Sequence, residues 1–458
     1  MKKSKITFQM AILPIVVLLL TGALSVFFWS VGMLVPLISS IITTGVIGIY
    51  YNYTWNELED GLKKGVANAL PAVFILLIVG SIIGTWIASG VIPVMIYYGL
   101  KFLNPTIFVP LAALITAIVA TTLGTSFTSI ATVGIALITI GNSMGFPSAL
   151  TAAAIISGAF FGDKLSPLSD TTNIAAAMTE SNLFEHVGHM LWDTIPAFFI
   201  SLIIYGIIGL NYVSSNVKGT DEINSLMFGL ENTFNLTPIL FILPIITIIL
   251  AVKKTPAIPT LLSVSISGGI FALIFQSATL VSVFSAFTSG FNAQSDITMI
   301  NDLFNRGGIN SMGGTIILLI TAAALGGIMQ KVGILQTIVS KIMNLVKGEQ
   351  QLLVTSLISS FLIGLSTGAQ VLAIIIPGKM FSSSFKKMNL HSKNLSRIVE
   401  AGGTVGITLV PWGVPAIFAA NMLGVAPGEF IPLLFFPMLA ILFNLIYGVT
   451  GISIAKTE

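Results

Sequence analysis

"SGAFFGDKLSPLSDTTNIAAA", residues 157–177, sets two aspartates, a lysine, a proline and five hydroxyl side chains between two long apolar stretches. Gly158 and Gly162 lie four residues apart, the spacing that lets two membrane helices approach closely. Pro167 has no amide hydrogen to donate and breaks a helix. Ser166, Ser169, Asp170, Thr171, Thr172 and Asn173 are side chains of the kind that cap a helix as it restarts. The stretch therefore predicts a helix, an unwound polar segment and a second half-helix. Within a bilayer, such exposed backbone persists only where protein or a water-filled cavity surrounds it.

The rest of the chain supplies the bilayer. Of its 458 residues 55% are hydrophobic and only 8% charged, with a mean hydropathy of +0.99, whereas a soluble domain carries about 25% charged residues. Apolar runs of about 20 residues, each enough to cross hydrocarbon, recur from Ile6–Phe28 to Phe430–Val449. Roughly ten to twelve such spans fit, and no stretch is long enough for a soluble domain. The expected class is an all-α polytopic membrane protein. The opening "MKKSKITFQMAILPIVVLLLTGAL" has the look of a signal peptide, but its apolar run is too long and further spans follow directly, so it reads as an uncleaved first helix. The chain has no cysteine, which excludes disulfides and thiolate chemistry, and three histidines (His186, His189, His391), too few for a multi-histidine metal centre. No feature points to nucleic acid, and the net charge of +3 is less informative than where the charges fall.

Basic residues gather at Lys2, Lys3 and Lys5, at Lys253 and Lys254, from Lys331 to Lys347 and from Lys379 to Arg397. The positive-inside rule places these segments toward the cytoplasm. The connections 211–237 (with Asp221, Glu222 and Glu231) and 291–306 (with Asp296, Asp302 and Arg306) are polar or acidic and are expected outside. The segments Trp86–Phe102 and Ser277–Phe291 read ambiguously as spans.

A shift of 244 residues, without gaps, lays "GTSFTSIATVG" (124–134) on "GAQVLAIIIPG" (368–378), and "GAFFGDKLSP" (158–167) on "GGTVGITLVP" (402–411). About twelve of fifty-five positions match, among them Gly124/Gly368, Gly158/Gly402, Gly162/Gly406, Pro167/Pro411 and Met178/Met422, against about three or four by chance. Duplication predicts two halves, residues 1–230 and 231–458, within a single membrane domain. Paired Gly/Pro interruptions at corresponding places in two halves are the sequence pointer to a secondary transporter's binding site, with discontinuous helices at the midplane.

Carboxylates, hydroxyls and freed carbonyls are hard oxygen ligands suited to a small cation, and a charge at mid-bilayer costs about 2.5 to 3.5 kcal/mol on insertion scales. Asp163, Lys164 and Asp170 fall within eight residues. A solvated surface ion pair is the plainer account of them. Against it, "GGTVGITLVPWGVPA" (402–416) repeats the breaks with Pro411, Gly413 and Pro415 but without charge. On this pattern Asp163 and Asp170 are the candidate Na+ ligands, held mainly by the first half. The hydroxyl-rich run Thr121–Ser129, with Thr125 and Ser126, either faces Asp163 or bonds its own helix carbonyls. Glu400 reads equally as part of an ion pathway or as an interfacial salt-bridge residue. His186, His189 and Asp193 read as interfacial anchors in preference to a proton relay. Trp412 is either packing or a cavity wall. "FFGD" also raises an intramembrane aspartyl protease, but that chemistry needs two facing aspartates, and Phe160 stands where its glycine pattern needs a first glycine. No enzymatic activity is expected.

"SGAFFGDKLSPLSDTTNIAA", with "GTSFTSIATVGIA" upstream and "NLSRIVEAGGTVGITLVPW" downstream, resembles the NhaC family of sodium/proton antiporters, which includes malate/lactate antiporters and lies in the ion transporter superfamily. The resemblance covers most of the chain. It implies inverted-topology halves with a substrate site between them and coupling to Na+ or H+ gradients. It implies a first-half signature of Asp163, Lys164, Ser166, Ser169, Asp170, Thr171, Thr172 and Asn173, and a second of Glu400, Gly403, Thr404, Pro411 and Trp412. Family members commonly read Glu-Asp-x-Gly-Thr where this chain has "EAGGT", so Ala401 replaces an acid.

The expectation is a multi-pass secondary antiporter of the cell membrane that exchanges Na+ for H+ by alternating access. The alternative is Na+- or H+-coupled transport of a small carboxylate (malate or lactate-like) or an amino acid. In either case the partners are the bilayer, small ions and small organic solutes. No cofactor is expected beyond Na+ and H+ as transported or coupling ions, and a homodimer is compatible with the sequence.

Overall fold

The computed structural model describes residues 6–29, 31–102, 104–167, 169–216, 220–252, 255–295, 300–301, 304–344 and 346–457. Lys2, Lys3, Lys5, Lys253, Lys254, Asp296 and Asp302 lie outside them, as do the side chains of Asp221 and Glu222. The regular elements of the described residues are all helical, apart from one isolated antiparallel bridge between Leu390 and Lys456. Its first helices are α1 (Phe8–Ala23), α2 (Leu34–Tyr50), α3 (Trp55–Ala88), α4 (Val91–Phe102), α5 (Phe108–Leu123), α6 (Ser126–Ser129) and α7 (Ile135–Ser143), the last two joined by a π-helical turn at Ile130–Gly134. They continue with α8 (Ser148–Leu165), α9 (Asp170–Met178), α10 (Leu183–Asn216), α11 (Thr220–Thr233), α12 (Ile242–Val252), α13 (Ala257–Phe275) and α14 (Leu280–Thr288). The last group is α15 (Gly313–Val332), α16 (Ile334–Met343), α17 (Glu349–Thr367), α18 (Gln370–Lys387), α19 (Ser392–Glu400), α20 (Val414–Leu423), α21 (Pro427–Phe430) and α22 (Phe435–Thr450).

Five helical stretches of the described residues are long and apolar enough to cross a membrane, or up to nine if each sharply bent pair counts as one span. Four shorter apolar helices accompany them: Phe8–Ala23, Leu34–Tyr50, Pro105–Thr121 and Ile334–Met343. Trp86–Phe102 is no straight span, because the chain bends by 69° between α3 and α4, at Gly90 with φ +81°. In Ser277–Phe291 the regular part is only the nine-residue α14.

The sequence repeat is reproduced in the backbone. α5 ends on Gly124 at φ 69°, its amide bonded to Ala120 O at 2.8 Å; α17 ends on Gly368 at φ 67°, its amide bonded to Gly364 O at 2.8 Å. Both are left-handed caps that a residue with a Cβ adopts only under strain. α8 and α19 start 244 residues apart, after Pro147 and His391 in the same extended conformation. The breaks also coincide: Ser166 and Val410 are extended, Ser169 and Gly413 precede the restart with ψ 135° and 142°, and α9 and α20 follow. The halves differ between these points. α8 runs unbroken, whereas its counterpart passes from α19 through a π segment at Ala401–Val405 and a 3-10 turn at Gly406–Leu409. Ser360 Oγ stands against this segment, donating to the carbonyls of Ala373 (2.7 Å) and Val399 (3.2 Å).

Glycine sets the tightest helix contacts. A Cβ at Gly158 would collide with the carbonyl of Ala113, and one at Gly162 with the backbone of Ala117 and Thr121, so α5 and α8 touch backbone to backbone. α3 and α15 cross in the same way, Gly65 against Ala323 and Gly327, and Gly327 against Gly61. Asp60 and Lys331 (2.8 Å) tie the ends of that crossing together. Apolar side chains on the outer faces, among them Phe199, Ile207, Ile266, Phe284 and Val449, are exposed, as expected of surfaces that meet lipid.

Candidate functional site

α8 ends at Leu165, and Ser166 and Ser169 flank the turn before α9. Pro167 supplies no amide here, and the Asn173 side chain covers the gap by donating to Pro167 O (2.9 Å) and Ser169 O (2.7 Å). Thr172 donates weakly to the last carbonyls of α8, at Asp163 (3.5 Å) and Lys164 (3.3 Å). The break is thus a built structure, and the residues that restart the helix also close the one before it.

Asp163 and Lys164 are neighbours on α8, and successive helical residues point about 100° apart. Asp163 turns toward α6, where the Ser126 hydroxyl (2.6 Å) and amide (3.1 Å) both donate to Oδ2. The hydroxyl of Ser169 is also close to it. Its other oxygen, Oδ1, is buried with no hydrogen-bond partner. Glu400, the last residue of α19, is wholly buried and lies beside Thr404 and Thr171, within electrostatic reach of Asp163. Neither of its carboxylate oxygens has a hydrogen-bond partner, and neither does the Thr404 hydroxyl. Glu400 is therefore in no salt bridge among the described residues; it shares the Asp163 neighbourhood. Both repeats contribute an acid to this neighbourhood, Asp163 from the first and Glu400 from the second.

Lys164 turns the other way, toward α10, and pairs with Asp193, both side chains fully buried. Asn444 of α22 donates to the same Asp193 oxygen (2.8 Å). Arg397 of α19 donates to Asn444 Oδ1 (3.2 Å), and to the hydroxyl (2.7 Å) and carbonyl (3.3 Å) of Ser453. A polar chain thus runs from the α8 break through three other elements, and it corrects several sequence expectations. Arg397, at the end of the basic stretch expected toward the cytoplasm, is buried, 1% exposed. His186 and His189 are buried, not interfacial, and His189 Nε2 meets Asn394 Oδ1 at 3.0 Å. Asp193 is a buried partner, not an anchor. Sequence reasoning passed over Asn444 and underrated Asp193; the available signal was a lone amide within the apolar run of α22 and an acid directly before the apolar run of α10.

The remaining candidates separate. Thr171 and Thr172 are buried within the break, where Ser169 and Thr171 exchange a hydroxyl bond of 3.0 Å, and Ser166 is buried beside them. Asp170 and Asn173 are exposed; Asp170 Oδ1 accepts the amide of Thr171 (2.9 Å). The structure does not bury Asp170 with Asp163. Thr125 precedes α6 and its carbonyl accepts Ser129 Oγ (2.9 Å). Gly403 sits against the backbone of Ala373, and Pro411 lies at the second break. Trp412 packs in an apolar core drawn from both ends of the chain, its indole nitrogen donating to Leu365 O (2.8 Å). A small cavity nearby is apolar, lined by Leu76, Phe127, Leu319, Ile417 and Phe418 among others. No group of three or more His, Cys, Asp or Glu side chains fit to hold a metal occurs among the described residues.

Residues 158–452 match the model of the Na+/H+ antiporter family. The Na+/H+ antiporter NhaC of Alkalihalophilus pseudofirmus is 34% identical over 458 residues, covering 100% of this chain and 98% of its own. The NhaC antiporter of Bacillus subtilis is 35% identical, over 97% of this chain and 99% of its own. The malate-2H+/Na+-lactate antiporter of the same organism is 36% identical, over 90% and 88%. Such similarity across whole chains, together with the apolar helices and their matched breaks, makes this an integral membrane transporter, and the chain belongs to the Na+/H+ antiporter family.

Proposed function

We propose that this protein exchanges Na+ for H+ across the cell membrane by alternating access, with Asp163 and Glu400 as the shared binding site. One observation carries the reading: Asp163 Oδ1, both Glu400 oxygens and the Thr404 hydroxyl are buried without hydrogen-bond partners, and the two acids lie within electrostatic reach of each other. A buried carboxylate left unpaired costs several kcal/mol, and a proton or a small hard cation relieves that cost. Oxygen ligands suit Na+ for the reason they suit other hard cations. Na+ and H+ then compete for the same oxygens, which is the requirement for exchange. The two halves, rocking about the helix breaks, would expose the site to one side at a time.

Similarity to a malate-2H+/Na+-lactate antiporter keeps coupled carboxylate exchange as a second reading. A carboxylate substrate needs a free buried cation to meet it. Lys164 and Arg397, the buried cations beside this site, are already engaged by Asp193, Asn444 and Ser453, which favours the inorganic exchange. Everted vesicles test the choice. Adding Na+ alone should drive proton efflux from acidified vesicles, and Asp163→Asn and Glu400→Gln should each abolish it. A response that appears only with an organic solute present overturns Na+/H+ exchange in favour of the second reading.

A further inference from the structure

We infer that Asp193 is a positioning residue for ion binding: by holding the Lys164 ammonium, it keeps that charge from neutralising the Asp163–Glu400 site. The inference rests on the proposed site and adds a specific role for a residue outside it. The geometry leaves Lys164 two directions. It follows Asp163 in the chain and senses Glu400 electrostatically, so it is the cation best placed to satisfy either acid. Its ammonium is instead bound to Asp193, 29 residues away on α10.

Asp193 is itself held. Asn444 donates to the same oxygen that Lys164 bonds, Thr194 Oγ1 lies 3.4 Å from the other, and Asn444 is oriented in turn by Arg397. His186 also lies close to Lys164 from α10, but neither of its ring nitrogens has a hydrogen-bond partner, so it takes no part in fixing the ammonium. Five charged side chains are buried among the described residues: Asp163, Asp193 and Glu400 against Lys164 and Arg397. Three negatives against two positives leave one negative charge, and the pairing puts it on the carboxylates that have no partners. Without Asp193, Lys164 becomes an unpaired buried cation beside two unpaired buried acids, and the attraction at low dielectric draws them together. The resident ammonium then competes with Na+.

Three proteins reconstituted in liposomes decide this, with transport read as Na+-dependent proton movement over a range of Na+ concentrations. Asp193→Asn should raise KM for Na+ at least tenfold with a smaller effect on the maximal rate. The double variant Lys164→Gln with Asp193→Asn removes both charges and should return KM to within about threefold of wild type. A purely structural role predicts the opposite order, since the double variant loses more packing and hydrogen bonding than the single one. The inference is overturned if KM is unchanged in Asp193→Asn or if the double variant is as weak as the single. Should Asp193→Asn fail to accumulate, the double variant alone decides: near-normal KM supports the inference and a tenfold loss overturns it. A wild-type protein with no Na+-driven proton movement would defeat the proposed site instead, so the two failures are distinguishable.

Discussion

Asp163 shows how much one residue's chemistry depends on its neighbours in space. Ser126 gives it two donors on one oxygen, and this fixes the carboxylate while the other oxygen stays free of hydrogen bonds. A charge-assisted bond of this kind contributes about 1.5–3 kcal/mol. Ser126→Ala keeps the amide donor and loses the hydroxyl, so the carboxylate should remain but orient less well. The expected result is a KM for Na+ raised about tenfold with the maximal rate retained, read from the Na+ concentration dependence of transport. A Ser126→Ala protein as inactive as Asp163→Asn would show that Ser126 binds the ion itself. Asp163 and the break beside it were legible because their signal is local, a charge, a proline and capping side chains within ten residues. Asp193, Asn444 and Arg397 were not. Their meaning lies in contacts across 251 and 47 positions of the chain, and Arg397 sits at the end of a basic run whose sequence says only that it faces the cytoplasm.

At the scale of elements, glycine spacing and helix breaks each turned out to have two roles. Gly158 and Gly162 do what membrane glycines commonly do, bringing α8 onto α5, and the same close approach sets where the break after Leu165 falls relative to α6. Gly162→Ala should therefore reach both. A methyl there meets the Ala117 carbonyl and the Thr121 amide, backbone atoms that cannot swing aside, and overpacking of this kind costs about 1–3 kcal/mol. Thermal unfolding in detergent should show a clear fall in Tm, whereas Gly188→Ala, which has open space around it, should not. The positions of the breaks followed from the sequence because proline and glycine act within a few residues of themselves. The path between breaks did not. A π segment at 401–405, where the first repeat has plain α-helix, lies against Ser360 and Ala373, contacts that a 244-residue shift cannot reveal.

Across the whole molecule, elements of the two repeats meet at a boundary that the proposed exchange would have to move. The turn after α9, in the first half, lies against α18 and α19 of the second: Glu180 pairs with Lys386 (2.6 Å), Ser392 donates to the Glu180 carbonyl (3.3 Å), and Gly378 packs against Met178 and Thr179. Glu180 holds a left-handed φ of 58° there, a conformation most residues adopt only when the surroundings impose it. If alternating access moves the half-helix α9 relative to α18, this contact must open and re-form in each cycle, while the backbone-to-backbone crossing of α3 and α15 serves as the fixed axis. The chain is suited to a direct test, because it contains no cysteine. Glu180→Cys with Lys386→Cys introduces the only two thiols, at two exposed positions. A cleavable bifunctional thiol reagent about as long as the original ion pair should join them. Transport should fall at least tenfold on cross-linking and recover on reduction, with each single cysteine variant unaffected by the reagent. Full activity in the cross-linked protein would show that α9 and α18 travel together, and the moving boundary would then have to lie elsewhere in the bundle.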